Sequence, residues 1–334
     1  MVATILDRIN GAIKTKAAAE DPFRNHLGGS MIGKPCEREL FYNFRWAVRP
    51  NFNARMLRLF DRGHKEEFRF VQYLRDAGVI VWEYAQDLMR SEATGEYMLI
   101  DWDADRSGGM GAFVSVSGEE HVKAAELQGV KVKQWRISDV RGHFGGSFDG
   151  ISHADFDVWD AIRTETREPQ CIPAGEEFLN EFKTHNDKSF KALVNARAVK
   201  EAKPVHWAQM QIYMHKRGLK YALYMAVNKN DDDLYTEVLT YDPEAGPVLL
   251  AKAERVISMA TAPNRIGKHP SWHECKFCEY AKICHYGEAP DRNCRSCRHA
   301  VPVDDGRWQC AHWNMLIPGD AILSGCDNYK AISD

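Results

Sequence analysis

An acid and an amine two positions apart, Glu181 and Lys183, lie within a strand-like run over residues 177–184. Side chains two apart in a β-strand project from the same face, so this pair addresses one small volume. Upstream, Asp149 follows an aromatic residue and precedes a glycine at the end of another predicted strand. Two close carboxylates repel each other unless a cation separates them, and hard cations take oxygen ligands. Asp149 and Glu181 therefore predict a site for Mg²⁺ or Mn²⁺.

A third acid is expected from a long helix predicted over residues 54–77. Glu67 follows Gly63 by about one helical turn, and the small residue allows a close approach beside the acid. His64 and Glu66 compete for this role, and an ordinary charged helix face is the alternative interpretation. We expect Glu67 to be the third metal carboxylate.

A second predicted helix begins at Pro204 and ends at Gly218. Within it Gln209 and Tyr213 are four residues apart and share one face. An amide and a phenol placed so can both reach a metal-site water or a DNA phosphate. A half-buried amphipathic helix with an incidental Gln and Tyr is the alternative.

The elements that must position these residues follow the order helix, strands, helix, strands, which predicts an α/β core with a central mixed sheet flanked by helices. At 334 residues and 44% apolar content the chain can bury a substantial core. Its net charge is −3, from 44 Lys and Arg against 47 Asp and Glu, so no overall basic field indicates nucleic acid. Local basic clusters must supply phosphate contacts instead: Arg38, Arg45, Arg49, Arg55, Arg58, Arg62, Lys183, Lys188, Lys191, Lys200 and Lys203.

The combined motifs resemble the PD-(D/E)xK nuclease superfamily over roughly residues 30–290, and within it the RecB and AddB nuclease domains and the phage recombination exonucleases. The resemblance assigns roles by position: Glu67 as the helix acid, Asp149 as the first core acid, Glu181 and Lys183 as the (D/E)xK pair, and Gln209 with Tyr213 as the Q-x-x-x-Y motif. Many relatives carry His where Glu67 lies, which puts this third ligand in doubt.

The resemblance implies a restriction-endonuclease-like core and a divalent-metal-dependent DNA exonuclease acting in recombination, repair or DNA processing. Linear DNA ends, single- or double-stranded, are the implied substrate, with a recombination or single-strand-binding protein as a possible partner. One alternative is a non-enzymatic DNA-binding or adaptor protein on a nuclease fold. The presence of Asp149, Glu181 and Lys183 argues against it. An endonuclease or an RNA-directed nuclease is a further alternative.

The cysteines are predicted to bind metal. Asp7 and Arg8 interrupt the apolar run that a signal peptide needs, and no stretch reaches membrane-spanning length. We therefore expect no membrane association and a location in a bacterial or phage-infected host cytoplasm, where nine cysteines are more often metal ligands than disulfides. Cys171 has no partner at ligand spacing and is treated as a free thiol.

Three cysteines form a Cys-x₂-Cys-x₅-Cys cluster at Cys275, Cys278 and Cys284, which calls for a fourth ligand. Iron–sulfur members of the same nuclease group combine this spacing with a lone upstream cysteine, a place that Cys36 fits. The resemblance thus implies a [4Fe–4S] cluster held by four thiolates. The alternative is Zn²⁺ with Cys36, His273 or His285 as the fourth ligand.

A second set of four cysteines, Cys294, Cys297, Cys310 and Cys326, predicts a small structural Zn²⁺ module. A histidine could replace one of the thiols, either His299 or His312. Cations and aromatics around the set could grip single-stranded DNA: Arg292, Arg295, Arg298, Arg307, Trp308 and Trp313. The alternative is that they only cover a module too small for a hydrophobic core.

These interpretations divide the chain into four predicted segments. They are an N-terminal helical segment carrying Cys36 (1–53), the nuclease core (54–262), an iron–sulfur-binding segment (263–290) and a zinc-binding module (291–334).

Overall fold

The computed structural model of the protein describes residues 4–19, 23–91, 93–106, 113–115, 129, 132–165 and 167–333. The chain forms two compact units. The unit called here the cysteine unit comprises Met1–Leu57, Ser138–Gly146 and Pro247–Asp334, and the sheet unit comprises Arg58–Ile137 and Ser147–Gly246. The four-segment division expected from the sequence stays a prediction.

The described helices are α1 (Ile5–Ala18), α2 (Glu37–Phe44), α3 (Ala54–Asp76), α4 (Asp187–Ala196), α5 (Val199–Ala202), α6 (Pro204–Arg217), α7 (Ala245–Ser258) and α8 (Ala281–Tyr286). The described strands are β1 (Leu27–Gly28), β2 (Ile80–Trp82), β3 (Tyr84–Ser91), β4 (Tyr97–Asp101), β5 (Phe113–Ser115), β6 (Lys133–Gln134), β7 (Arg136–Asp139), β8 (Phe144–Ser147), β9 (Ile151–His153), β10 (Val158–Trp159), β11 (Cys171–Ile172), β12 (Phe178–His185), β13 (Tyr221–Asn228), β14 (Leu234–Thr240), β15 (Ala300–Pro302), β16 (Trp308–Cys310) and β17 (Met315–Leu316). None of the described helices is long and apolar enough to cross a membrane.

A five-stranded mixed sheet in the order β14-β13-β12-β9-β2 organises the sheet unit. The central strand β12 pairs in parallel with β13 and antiparallel with β9. A parallel pair needs a crossover, and the chain between β12 and β13 supplies it with α4, α5 and α6. The α/β class with a mixed sheet agrees with the sequence prediction.

One face of β12 builds the core. Phe178 and Phe182 belong to a buried apolar cluster that also contains Phe70 and Val71 of α3. The Phe70 and Phe182 rings stack with centroids 5.0 Å apart. Because successive strand residues alternate faces, this packing places Glu181 on the opposite face of β12.

The sheet unit also contains a smaller sheet in which β3 pairs with β4, β5 and β6. Residues 154–176 include a two-stranded antiparallel pair, β10 with β11. Most of residues 101–130 lie outside the described part of the chain.

In the cysteine unit, the N-terminal part of the chain contributes helix α2, and the C-terminal part contributes a three-stranded sheet in the order β15-β16-β17. Four of the eight residues of α2 bury apolar or aromatic side chains: Leu40, Phe41, Tyr42 and Phe44. The turn between β15 and β16 contains Asp304–Gly306. Trp308 on β16 is 2% exposed and lies against the ring of Phe44 at 5.1 Å. Packing of this aromatic layer joins the N-terminal helix to the C-terminal strands.

Candidate active site and cysteine centres

Strand β12 places Glu181 and Lys183 on one face, as the two-residue spacing predicted. Glu181 is fully buried, whereas the Lys183 side chain keeps 26% of its surface exposed. The Lys183 ammonium forms an ion pair with Glu181 Oε1 and donates a hydrogen bond to the Phe182 carbonyl at 3.1 Å. An ammonium therefore lies beside a buried carboxylate at the centre of the sheet.

Asp149 is positioned by its two neighbours in sequence. Phe148 is buried between the rings of Trp135 and Tyr213, with centroid distances of 6.1 and 5.6 Å. Gly150 has φ +131°, and a Cβ there would lie 2.9 Å from the Trp82 carbonyl oxygen, so only glycine fits. Asp149 Oδ2 accepts the backbone N–H of residue 182 at 2.7 Å, which brings this carboxylate to β12.

Of the three residues considered for the helix acid, Glu67 interacts electrostatically with both Asp149 and Glu181, and His64 interacts with Asp149 alone. Glu66 pairs with Arg69 at 2.8 Å, and His64 is exposed. Burial and the charges of Asp149 and Glu181 together raise the pKa of Glu67 to about 8, against an opposing effect of Lys183. Glu67 therefore belongs electrostatically to the site, while the buried Glu66 carboxylate pairs with Arg69.

Burial and mutual repulsion oppose ionisation of the site's carboxyl groups, and the charge of Lys183 favours it. Burial raises the pKa of Glu181 to about 7, with a contribution from Asp149 that the Lys183 charge opposes. Burial likewise raises the pKa of Asp149. Although burial lowers the pKa of Lys183, the charges of Glu181 and Asp149 raise it to about 12. One lysine thus faces three acids, and the remaining negative charge is what a cation would neutralise.

Gln209 and Tyr213 lie on α6, as predicted, and both are buried. Gln209 Nε2 donates to Glu181 Oε2 at 3.1 Å. The amide and Lys183 therefore hold the two different oxygens of the Glu181 carboxylate. Tyr213 packs against Phe148, the residue that precedes Asp149. The pair therefore contacts both core-acid segments, one by a hydrogen bond and the other by ring packing.

Sequence analysis missed a polar network next to this site. His185 Nε2 and His206 Nδ1 both hydrogen-bond the hydroxyl of Tyr224, at 2.9 and 3.0 Å. Burial lowers the pKa of His185 to about 4 and that of His206 to about 3, so both are neutral at pH 7. His185 continues the two-residue repeat of Glu181 and Lys183, a signal that could have revealed it.

Glu83 is a second residue that the sequence patterns did not single out. It directly follows β2, and its charge raises the pKa of Glu67. Its backbone lies beside Gly150, where an added Cβ would approach Glu83 Cα to 3.5 Å. No motif spacing connects residue 83 to the others, because sheet pairing of β2 with β9 brings it there.

As placed in the described part of the chain, no three or more His, Cys, Asp or Glu side chains form a group that could hold a metal ion. The donors are nevertheless carboxylate oxygens, the type of ligand that a hard cation takes. Glu67, Asp149 and Glu181 all have raised pKa values, which a bound divalent cation would reverse. The residues present therefore fit Mg²⁺ or Mn²⁺ in type and charge.

The first cysteine cluster lines one cavity of the cysteine unit. Cys36 precedes α2, Cys275 and Cys278 share a turn closed by a 3.1 Å backbone hydrogen bond, and Cys284 lies on α8. All four line this cavity, together with His285. Burial raises the pKa of Cys275, and the charges of Cys36 and Cys284 add to the increase. The fold thus gathers the four cysteines for which a shared cluster was predicted.

The second cysteine set lines a separate cavity. Cys294, Cys297, Cys310 and Cys326 border it, and His299 and His312 do so as well. Burial raises the pKa of Cys294, with further increases from the other three cysteines of the set. Both histidines considered as replacement ligands therefore border the same cavity as the four thiols.

The arginine and tryptophan surface expected around the second set is wrong for two of its members. Arg295 is 1% exposed and Trp308 is 2% exposed, so neither can stack on a DNA base. Arg298 donates to the carbonyls of Ala331 and Ser333. The alternative interpretation holds for these residues, because a module with little apolar content uses its own cations and aromatics to fill its interior.

Comparisons with known proteins give weak similarities. No protein-family model and no curated protein matches the sequence. Similar solved structures include a protein designated SSO0001, at 12% identity and a TM-score of 0.39 over 86% of this chain and 98% of that one. An alkaline exonuclease of Laribacter hongkongensis, LHK-Exo, is 14% identical with a TM-score of 0.36 over 73% and 90% of the two chains. The structure of LHK-Exo in complex with dAMP is 14% identical, with a TM-score of 0.37 over 78% of this chain and 92% of that one. Similarity at this level establishes neither a family nor a shared activity.

Proposed function

We propose that the protein is a divalent-metal-dependent nuclease that hydrolyses DNA phosphodiester bonds, acting as an exonuclease on linear ends. The observation that carries the proposal is that Lys183 pairs with Glu181, that Asp149 accepts the backbone N–H of the residue between them, and that the charges of both acids act on Glu67. Three acids and one lysine are an unfavourable group in an apolar sheet unless a cation joins them. Such a site is suited to a substrate that is itself an anion bridged by metal.

A divalent cation bound by these carboxylates would polarise the scissile phosphate and lower the pKa of a bound water. Lys183 keeps its proton to about pH 12, so it presents a permanent positive charge to the phosphate oxygens. The Gln209 amide holds Glu181 in orientation from the opposite oxygen. Asp149 is held by the backbone N–H that it accepts, which leaves its second oxygen for the cation.

We also propose the two metal centres that the cysteine spacing predicts. Cys36, Cys275, Cys278 and Cys284 would hold a [4Fe–4S] cluster, supported by the one cavity that all four line. Cys294, Cys297, Cys310 and Cys326 would hold Zn²⁺, supported by a second cavity. Both would be structural. Neither touches the phosphodiester chemistry in this proposal.

The test is cleavage of end-labelled DNA by anaerobically purified protein. Linear and circular substrates, single- and double-stranded, are incubated with Mg²⁺, with Mn²⁺ and with EDTA. The variant is Lys183→Ala, and the matched control is Lys220→Ala, an exposed lysine of the same unit that is not among the predicted phosphate contacts. Metal-dependent loss of linear DNA only, reduced about 100- to 1,000-fold in Lys183→Ala and unchanged in the control, is the expected result.

Other outcomes separate the alternatives. Cleavage of circular DNA would indicate an endonuclease. Absence of cleavage on any DNA by folded, cluster-loaded protein would contradict the proposal, and the same reactions on labelled RNA would then distinguish an RNA-directed nuclease from a non-enzymatic DNA-binding protein. Equal turnover by Lys183→Ala and the native chain would show that the site is assigned incorrectly.

A further inference from the structure

Two arginines of the cysteine unit are buried beside one another. Arg45 is 2% exposed and Arg295 is 1% exposed, a degree of burial that is rare for arginine unless it is paired. Both guanidinium groups face the ring of Trp308, at 5.2 and 4.7 Å from its centroid. Burial lowers the pKa of Arg295, and the charge of Arg45 lowers it further. The interior of this unit therefore holds two positive charges in one place.

Neither arginine has an acidic partner. No Asp or Glu within the described ranges forms an ion pair with Arg45 or Arg295. Arg45 donates to the Ala300 carbonyl at 2.8 Å, and Arg295 donates to the Phe44 carbonyl. Carbonyl dipoles and aromatic faces stabilise a guanidinium partially, and the net charge stays.

The Nε atoms of both arginines also lack hydrogen bonds within the described residues. Each of these atoms is buried. A buried charge that is incompletely hydrogen-bonded is costly, and two like charges at close range cost more. A fold that keeps both must therefore supply negative charge from somewhere else.

The thiols of the second cysteine set are the available source. The Cys297 backbone carbonyl accepts the N–H of Ala300, the residue whose own carbonyl binds Arg45. Cys297 is the acidic group whose charge acts on Arg45, and its Sγ accepts the backbone N–H of Lys330 at 3.4 Å. Arg295 lies between Cys294 and Cys297 in sequence. The arginine pair and the thiol cavity are thus adjacent.

The charges match if all four ligands are thiolates. Four thiolates around one divalent ion carry a net charge of −2, whereas three thiolates and a neutral histidine carry −1. Arg45 and Arg295 together carry +2. His299 and His312 line the cavity too, so geometry alone leaves both ligand sets open. Charge balance favours the all-cysteine set.

We propose that Arg45 and Arg295 are the built-in counter-charge of a divalent metal bound by Cys294, Cys297, Cys310 and Cys326, and that they select four-thiolate ligation over three thiolates and a histidine. This inference rests on the proposed zinc centre and is independent of the nuclease activity. Arg45 directly follows α2, the helix that begins after Cys36. The counter-charge therefore links the C-terminal metal module to the N-terminal helix by electrostatics as well as by packing.

The test uses the full-length protein purified with its metals. Zinc content is measured by mass spectrometry, and zinc-edge X-ray absorption counts the sulfur ligands at about 2.3 Å against nitrogen at about 2.0 Å, without interference from iron. Zinc affinity is then measured by competition with a chromogenic chelator. The variants are Arg45→Met, Arg295→Met and Arg45→Lys, and the matched control is Arg292→Met, an exposed arginine near the same cysteines.

We expect four sulfur ligands in the native chain and in His299→Ala and His312→Ala. Arg45→Met and Arg295→Met should each weaken zinc affinity about 10- to 100-fold, as loss of an outer partner typically does. Arg45→Lys should restore most of that affinity, and the control should leave it unchanged. If a methionine variant does not fold, Arg45→Gln and Arg295→Gln replace it, because glutamine removes the charge and keeps a hydrogen-bond donor.

Two kinds of result would overturn the inference at different levels. Zinc absent from the native chain, or present equally in Cys310→Ser, would remove the metal centre itself. Four-sulfur zinc whose affinity does not change in either arginine variant would leave the centre in place and refute the counter-charge. A three-sulfur, one-nitrogen site would refute the ligand selection. None of these results bears on DNA cleavage, which is measured separately.

Discussion

The candidate active site and the second cysteine set bury charged side chains of opposite sign. In the sheet unit, three carboxylates lie around one lysine, so the site carries excess negative charge. In the cysteine unit, two buried arginines have no carboxylate partner within the described residues and lie next to thiols. Uncompensated charge in a protein interior is costly, and the sign of the excess indicates what must bind. The first excess fits a divalent cation, and the second fits an anionic metal–thiolate complex.

The first cysteine cluster differs from the second, because carboxylates lie beside its cations. Arg38 is buried at 5% exposure and lines its cavity, and Glu39 and Glu274 line it as well. Lys252 donates to the carbonyls of Ile32 and Lys34, and the charge of Glu37 acts on it more strongly than that of Cys36. An excess of buried positive charge therefore distinguishes the second set from the first.

The largest effect is expected when a ligand of the second cysteine set is removed, and it is on folding of the C-terminal module. Cys310→Ser should abolish zinc binding and unfold residues 291–334, because zinc binding by such small modules is worth about 10 kcal/mol. Metal content and limited proteolysis measure the change. Cys171→Ser, a change at the lone cysteine of the sheet unit, is the control. A protease-resistant C-terminus in Cys310→Ser would show that packing, not metal, holds the module.

In the sheet unit the same kind of substitution should remove activity and spare the fold. Asp149→Asn should reduce kcat about 100- to 1,000-fold, because it removes a metal-binding charge while keeping the shape. Thermal unfolding without metal should be unchanged or higher, since a buried charge is gone. Asp155→Asn, at an exposed aspartate, should behave as the native chain does in both measurements. A lower melting temperature in Asp149→Asn would indicate a structural carboxylate.

The affinity of the carboxylate site for Mn²⁺ should depend on pH. Metal binding needs Glu67 and Glu181 ionised, and their pKa values of about 8 and about 7 mean that protons must leave. Mn²⁺ affinity should therefore rise from pH 6 to about pH 8.5 and then level, by about tenfold per pH unit for each proton released. Calorimetry in buffers of different ionisation enthalpy counts those protons. Affinity independent of pH over this range would contradict the raised values.

The smallest expected effect is on the stability of the metal-free protein. The folded-state pKa of Glu67 is raised above its unfolded value of 4.5, so stability is lost as pH rises from about 4.5 to about 8. Glu67→Gln should remove this loss and stabilise the metal-free protein by about 1 to 2 kcal/mol at pH 8.5. At pH 4.5 the variant and the native chain should melt together. Glu168→Gln, which breaks an exposed ion pair with Arg163, is the control and should have little effect at either pH.

Local spacing determined much of the candidate site. A two-residue interval on a strand places Glu181 and Lys183 together, and a four-residue interval on a helix gives Gln209 and Tyr213 one face. The α/β class and the two cysteine sets were also predictable from order and spacing. These properties depend on neighbours within a few residues, which the chain order alone specifies.

Only the tertiary structure decided the rest. Whether Glu67 or Glu66 faces the other acids depends on how α3 packs against β12, and a one-residue rotation of the helix reverses the answer. Glu83 and His206 come to the site from segments with no motif spacing to it. Arg295 and Trp308 were expected on the surface, yet they fill the interior next to α2. Burial and charge balance arise from contacts between segments hundreds of residues apart, and no local pattern encodes them.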